Sequence, residues 1–175
     1  MSQTRLPIAL LICSLLAFAL SLVWSYGQLP AQVATHFNAA GQANDWMSRE
    51  MHLTCMAAIG LGLPILMVGV FYSIRWLPMA IVNMPHREYW LAPERRLATS
   101  AVLLQFGLWF ASFESLFFLA IHILVVQANR AQPARLSNAV WILLVAFLAF
   151  VGVWLFLFWR TFRAGGRNAA VGNQS

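Results

Sequence analysis

The segment YGQLPAQVATHFNAAGQANDWMSR, residues 26–49, is a polar interruption between two long apolar runs of the chain. It contains Pro30 and Gly41, residue types that helix interiors disfavour, and the hydrogen-bonding side chains of His36 and Asn38. Such a sequence does not continue the apolar runs as one helix. We therefore expect a structured outer loop that joins two membrane-spanning helices.

The composition indicates a membrane protein. The chain has 175 residues, of which 61% are hydrophobic and 9% are charged, and its mean hydropathy is +0.72. A soluble domain of this length carries more charge on its surface. The length suffices for about four spans of roughly 20 residues each, so we predict an all-α integral membrane protein with four transmembrane helices. Residues 1–165 are predicted to form one four-span domain, and residues 166–175 a disordered tail.

Apolar runs mark the predicted spans at about residues 7–26, 53–74, 98–126 and 139–160. The first run continues past the small residues around Ala17 to Trp24, which favours an uncleaved helix over a signal peptide. Residues 75–96 contain three prolines and are too interrupted to span the membrane. We expect this inner loop to lie along the membrane interface.

The arginines predict the orientation. The net charge is +6, and all 11 basic residues are arginine. In a four-span arrangement eight of them lie on one side, at positions 5, 75, 87, 95, 96, 160, 163 and 167, and three lie on the other. The positive-inside rule then predicts a multi-pass membrane protein with both termini cytoplasmic and the segment 26–49 on the outer side. Because the arginines lie at the ends of apolar runs, they indicate contacts with a lipid bilayer and not with nucleic acid.

The third predicted span contains an intramembrane acid, Glu114, about 18 Å below its outer end. Ser115 and His122 belong to a polar stripe of the same helix that is expected to face the bundle. Ionisable residues at this depth are costly and often functional. Two interpretations stay open: a protonated Glu114 that donates to the Gly60 carbonyl freed by Pro64 or to a serine, and a relay for protons or cations.

Three histidines are predicted near the outer face of the membrane: His36, His52 and His122. With nearby carboxylates they supply ligands for zinc or copper, although their spacing matches no standard ligand motif. No other cofactor is predicted. The chain has no nucleophile elbow, phosphate loop, dinucleotide fingerprint or protease signature, which favours a protein without catalytic activity.

The first polar segment resembles a bacterial membrane domain of unknown function, the domain at the N-terminus of Sdp toxin immunity proteins. The resemblance is carried by Tyr26, Leu29-Pro30, Val33, His36-Phe37-Asn38, Gly41, Trp46 and Ser48-Arg49. Ala43-Asn44 stand where that family has Pro-Asp, and the acid is displaced to Asp45.

The inner loop is similar to a second stretch found in some members of that family. Its matching residues are Asn83, Pro85, Tyr89, Trp90, Pro93, Glu94 and Arg95. The resemblance to a bacterial family implies a protein of the bacterial inner membrane. We expect the inner loop to pass on a signal or to dock a partner, either a cytoplasmic regulator or a second copy of the chain.

Together these observations lead us to expect an immunity or sensing protein that recognises a peptide toxin or envelope ligand through its outward loop. The expected ligand-binding residues are His36, Asn38, Asp45, Trp46 and Arg49.

Two alternatives from other classes stay open. One is a metal-dependent membrane enzyme or small transporter that uses the three outer histidines and Glu114. The other is an accessory subunit without a site of its own.

Overall fold

The structure is a computed structural model that describes the backbone of residues 4–172 and the side chains of residues 4–163. Its elements in chain order are α1 (Arg5–Tyr26), β1 (Gln32–Phe37), β2 (Ala43–Ser48), α2 (Arg49–Ser73), a 3-10 turn (Met79–Ile81), α3 (Arg87–Trp90), α4 (Arg96–Arg130) and α5 (Ala139–Gly172). The tail predicted as disordered overlaps the end of α5, and residues 173–175 lie outside the described part of the chain.

The prediction of four spans is confirmed for the described residues. The helices long and apolar enough to cross a membrane are Arg5–Tyr26, Arg49–Ser73, Arg96–Arg130 and the Ala139–Arg163 part of α5. Each predicted span falls largely within one of these helices. This architecture is consistent with a multi-pass membrane protein.

The prediction of an all-α fold was wrong in one respect, because β1 and β2 pair as an antiparallel hairpin. The pairing runs from Gln32 opposite Ser48 to Phe37 opposite Ala43, with irregular register around His36. Residues of β1 such as Val33 favour strands, and the polar backbone of this segment must find partners near the membrane surface. The expected structured loop is therefore a small sheet.

A serine sets the start of α2 directly after the hairpin. Ser48 has an extended backbone conformation, and its Oγ accepts a hydrogen bond from the N–H of Met51 at 3.2 Å. This is the arrangement of an N-cap, which satisfies an N–H that has no partner within the helix. Strand β2 thus passes into α2 without an intervening loop.

Helix α4 is the centre of the bundle, since it packs against α1, α2 and α5. It contacts α1 through a cluster that includes Leu11 and Ala111, and it contacts α2 where the ring of Phe71 covers Gly107. Its contact with α5 is aromatic. Ring centroids lie 4.4 Å apart for Phe113 and Phe150 and 4.3 Å apart for Phe117 and Phe147.

The segment between α2 and α4 closes the end of the bundle opposite the hairpin. Val82, Met84 and Leu91 are buried there in one cluster with Leu103 and Phe162. The contact explains why this proline-rich segment is so apolar: its nonpolar side chains fill the space between α4 and α5.

Hydrogen bonds hold this closing segment in place. The indole N–H of Trp90 donates to the carbonyl of Phe162 at 2.7 Å, and Thr99 Oγ1 donates to the carbonyl of Trp90 at 2.7 Å. The guanidinium of Arg96 donates to the carbonyls of Arg75 and Leu77 just after α2. A cation at this position satisfies carbonyls that the helix end leaves without partners.

Candidate binding site at the hairpin end

The tip of the hairpin is organised by Asn38. Its side-chain oxygen accepts hydrogen bonds from the N–H groups of Ala40 at 3.0 Å and Gln42 at 2.9 Å, while its Nδ2 donates to Gln42 Oε1 at 3.0 Å. Asparagine commonly stabilises turns in this way. Asn38, predicted as a ligand contact, therefore already uses its amide to hold the turn.

Gly41 docks the tip of the hairpin onto the loop between α4 and α5. Its carbonyl accepts from the N–H of Leu136 at 2.8 Å, and Gln42 forms a β-bridge with Arg135. Gly41 has φ +75°, a left-handed conformation, and a Cβ at this position would collide with the carbonyl of Leu136. Only glycine meets both requirements without strain.

We expect Gly41→Ala to loosen the tip of the hairpin by about 1–3 kcal/mol, the usual cost of a non-glycine residue held in this conformation. Hydrogen exchange at the amide of Leu136, which bonds to Gly41, measures the effect. Gly27→Ala is the matched control, because Gly27 has φ −79° and open space around its Cβ position. Equal exchange rates in the two variants would contradict this account of the turn.

The base of the hairpin is fixed to α4 by Asn129. Asn129 Oδ1 accepts from the N–H of Ala34 at 2.7 Å, and its Nδ2 donates to the carbonyls of Ala34 and Val125, each at 2.9 Å. One amide thus pairs with both backbone groups of a strand residue. Asn129 was not predicted from the sequence, since nothing in its local sequence distinguishes it from any other asparagine near a helix end.

Arg49 joins the start of α2 to the end of α1. Its guanidinium donates to the carbonyls of Tyr26 at 3.2 Å and Leu29 at 3.3 Å and stands 4.1 Å from the centre of the Tyr26 ring. Its Nη2 also lies 3.5 Å from Glu50 Oε1. Arg49 was predicted as a ligand contact, but its guanidinium instead holds the start of α2 against the end of α1.

The other predicted ligand contacts lie on the solvent side of the hairpin. His36 Nδ1 is 3.4 Å from Asp45 Oδ2, and both side chains are 66% exposed. Trp46, the next residue along β2, is 53% exposed. An exposed tryptophan beside an imidazole and a carboxylate is typical of a surface that contacts other molecules.

Trp46 also lines a cleft of about 410 Å³ between the hairpin and the loop that follows α4. The lining residues are Gln42, Ala43, Trp46, Pro133, Ala134 and Arg135. This cleft combines an aromatic ring, an amide and a guanidinium in one concave surface. Of these three groups only Trp46 was predicted from the sequence as a ligand contact, and Arg135 entered the prediction only through its charge.

Beneath the hairpin, two histidines stack in the interior of the bundle. The rings of His52 and His122 are 5.9 Å apart and nearly parallel, and His122 Nε2 is 3.0 Å from Ser25 Oγ. Both imidazoles are buried, whereas His36 stands exposed on the hairpin. Within the described residues, no three or more histidine, cysteine, aspartate or glutamate side chains are grouped to hold a metal ion.

Glu114 lies within α4, and its Oε2 is buried without a hydrogen-bond partner. A hydrogen bond from Glu114 to the Gly60 carbonyl, one of the interpretations left open by the sequence, is not found in the described part of the chain. The aromatic ring of Phe18 lies against Gly60 at the position that a Cβ would occupy. Ser115 Oγ is buried without a partner as well.

Some residues of the inner-loop motif make contacts within the bundle, and others are exposed. Trp90 holds the segment to α5, whereas Asn83, Pro93 and Glu94 are exposed. The guanidinium of Arg95 stands 3.9 Å from the centre of the half-buried Tyr89 ring. Pro85 is half-buried.

Among the described residues of the closing segment between α2 and α4, Glu88 is the one carboxyl group whose pKa departs from its ordinary value. Its pKa is lowered because the carboxylate accepts hydrogen bonds from its own backbone N–H and from Arg87.

The part of the chain that builds the hairpin matches a known family. Residues 12–61 match DUF1648, a domain of unknown function. The DUF1648 segment includes most of α1, the whole hairpin and the first half of α2. No curated protein and no solved structure matches the chain.

The DUF1648 segment does not contain the whole site. Trp46 and His52 lie within it, but Arg135, Asn129 and His122 come from α4 and the following loop. The cleft, the anchor of the hairpin and the histidine stack all depend on contacts between the matched segment and the remainder of the chain.

Proposed function

We propose that this chain is an inner-membrane sensing or immunity protein that binds a peptide or envelope ligand at the cleft between the hairpin and the loop after α4. The observation that carries the proposal is the cleft itself, which Trp46 and Arg135 both line although they are far apart in the sequence. Binding sites are typically concave and combine apolar surface with a few converging polar groups.

The chemistry of the cleft favours a ligand with an anionic group beside an apolar one. Arg135 is exposed and makes no ion pair within the described residues, so its guanidinium is free to form paired hydrogen bonds with a carboxylate or phosphate. Trp46 offers a large apolar face next to it. Gln42 Oε1 already accepts from Asn38, so its NH2 group is the part that can donate to a peptide carbonyl.

The distribution of arginines supports an outward cleft. The hairpin end carries Arg49, Arg130 and Arg135, whereas the other eight arginines belong to the opposite side of the four-span arrangement. By the positive-inside rule the cleft faces the periplasm, where peptide toxins and envelope components are met. The exposed inner-loop residues, Asn83 and Glu94 among them, then face a cytoplasmic regulator or a second copy of the chain.

Expression of the full chain in a sensitive bacterial host tests this function, with a panel of purified membrane-active bacteriocin peptides as probes. We expect the wild-type chain to protect against at least one peptide and Trp46→Ala or Arg135→Gln to lose that protection. Loss of a central contact of this kind costs about 2 kcal/mol, or roughly a thirtyfold weaker affinity.

Matched controls separate this effect from unfolding. Trp76→Ala changes an exposed tryptophan at the other end of the bundle, and Arg130→Gln changes an exposed arginine close to the cleft but outside its lining. Both should keep full protection at equal expression. Protection that survives in Trp46→Ala and Arg135→Gln would refute a role for the cleft.

Small-molecule transport is the second candidate function, favoured by the buried, unpartnered Oε2 of Glu114. A buried carboxyl oxygen without a partner at membrane depth is suited to carry a proton. If transport is the function, Glu114→Gln should abolish it and Trp46→Ala should leave it intact. Proton uptake into vesicles that contain the purified chain makes this measurement, and an unchanged uptake in Glu114→Gln would exclude the relay.

The alternative that includes small-molecule transport also includes a zinc- or copper-dependent membrane enzyme. It would have to use His52 and His122, because His36 lies apart from them on the exposed hairpin.

A further inference from the structure

The backbone of Trp46 points away from the hairpin, toward the outer edge of β2. The N–H of Arg49 donates to the carbonyl of Ala31 at 3.0 Å, so this pair bonds across the hairpin. Backbone groups alternate in direction along an antiparallel ladder, and Ala34 and Trp46 lie opposite each other three positions further along. Their N–H and C=O groups therefore point outward. The bonds of Ala34 agree with this, since both its backbone groups bond to Asn129, outside the hairpin.

The two edges of the hairpin differ in what covers them. Asn129 covers the edge of β1 at Ala34, whereas the edge of β2 is open beside Trp46. The Trp46 N–H donates to Oδ1 of the neighbouring, exposed Asp45 at 2.9 Å. Its carbonyl accepts no hydrogen bond from a side chain, or from backbone beyond the hairpin, within the described residues. An open strand edge of this kind is a template for one more strand.

A third strand already begins on this edge, at the tip of the hairpin. Arg135 forms an antiparallel bridge with Gln42 there. Pro133 precedes it by two residues and has no N–H, so it does not extend the ladder along β2. The cleft of about 410 Å³ is lined by β2 residues, Trp46 among them, and by the loop at Pro133. The cleft thus continues the path of a strand that the chain itself does not complete.

We propose that the cleft binds the C-terminal end of an extended peptide, which pairs with the outer edge of β2 at Trp46 and places its terminal carboxylate at Arg135. This inference rests on the proposed function, because it identifies the ligand of the same cleft. One peptide N–H donates to the Trp46 carbonyl, and one peptide carbonyl replaces Asp45 Oδ1 at the Trp46 N–H. Addition of a strand to a sheet edge is a common mode of peptide recognition.

The direction of β2 selects the carboxyl end of the peptide. The strand runs from Ala43 at the tip toward α2, so a strand antiparallel to it runs toward the tip and ends there. Arg135 lies at this end, exposed and without an ion pair in the described part of the chain. Its guanidinium suits a carboxylate, whereas a peptide in the parallel direction would bring its cationic amine there. A phosphate or lipid headgroup would leave the outward backbone groups of Trp46 unused.

Two synthetic pools of random hexapeptides test the proposal, one with free C-terminal carboxylates and one with C-terminal amides. The purified full chain in nanodiscs is incubated with each pool, and mass spectrometry identifies the retained peptides. We expect about tenfold greater retention from the acid pool, as a charge-assisted pair with Arg135 predicts. Arg135→Gln should remove this difference. Arg130→Gln, an exposed arginine outside the cleft lining, should keep it.

Methylation of single backbone nitrogens in a retained peptide tests the strand pairing. In an added strand every second N–H faces β2, so methylation should weaken binding about tenfold or more at alternate positions and have little effect between them. Hydrogen exchange at the Trp46 amide should slow when the unmethylated peptide binds. A merely structural role of Trp46 predicts neither the alternation nor the slower exchange.

Each outcome bears on one part of the proposal. Equal retention of the acid and amide pools would overturn the assignment to a peptide C-terminus, and equal sensitivity at all methylated positions would overturn the strand. A chain that retains no peptide from either pool would overturn both. If that chain is also dimeric, the edge belongs to a second copy. None of these results decides the protection assays, which fail separately if Trp46→Ala and Arg135→Gln keep full protection.

Discussion

Replacing Gly60 with leucine should loosen the packing of α1 against α2 and destabilise the bundle. The ring of Phe18 occupies the position that a Cβ of residue 60 would take, and Phe18 is fully buried. Overpacking of a filled core typically costs about 1–3 kcal/mol. We expect the upper end of that range, since a whole leucine side chain must be placed where the ring now lies.

Thermal unfolding in detergent, followed by circular dichroism, measures this loss. Gly62→Leu is the matched control: it lies two residues further along α2, is exposed, and has open space at its Cβ position. Its melting temperature should equal or exceed that of the wild type, because leucine is a better helix former than glycine. Phe18→Ala should partly restore the stability of Gly60→Leu, and a failure of that rescue would count against the contact.

Replacing Asn129 with alanine should release the hairpin from α4 while leaving the four helices intact. The change removes three hydrogen bonds and leaves both backbone groups of Ala34, a fully buried residue, without their partner. At about 1 kcal/mol for each bond the loss is up to about 3 kcal/mol. Exchange at the Ala34 amide should accelerate by roughly one hundredfold, since each tenfold corresponds to about 1.4 kcal/mol.

Asn44→Ala controls for the loss of an asparagine from the same region. Asn44 lies in β2 with an exposed side chain and makes no side-chain hydrogen bond among the described residues. Its exchange pattern should match that of the wild type. A slow Ala34 amide in Asn129→Ala would mean that the strand is held by β2 alone and that α4 does not support the site.

The contacts of Asn129 and Gly41 also determine the shape of the cleft. Asn129 holds β1 at its base and Gly41 holds the tip, so Trp46 on β2 is positioned relative to Arg135 by contacts at both ends of the hairpin. We therefore regard Asn38, Gly41 and Asn129 as positioning residues. The surface that meets a ligand is formed by Trp46, Arg135 and their neighbours.

Part of the site was predictable because it depends on short-range chemistry. Asn38 and Gly41 are turn residues: the amide of Asn38 can bond the nearby backbone, and Gly41 lacks a Cβ and so tolerates a left-handed conformation. Trp46 was recognisable as an aromatic group in a polar segment. The roles assigned to Asn38 and Arg49 were less accurate. Hydrogen bonds within the hairpin and to the end of α1 use groups that the sequence analysis had reserved for a ligand.

The sequence by itself determined the four membrane spans and the polar break after the first of them, since hydropathy and length are properties of consecutive residues. Only the tertiary structure decided that Arg135 and Trp46 line one cleft, that Asn129 holds Ala34, and that His122 bonds to Ser25 beneath the hairpin. Each of these pairs is separated by about ninety residues or more, and no local propensity encodes which polar groups meet when helices pack.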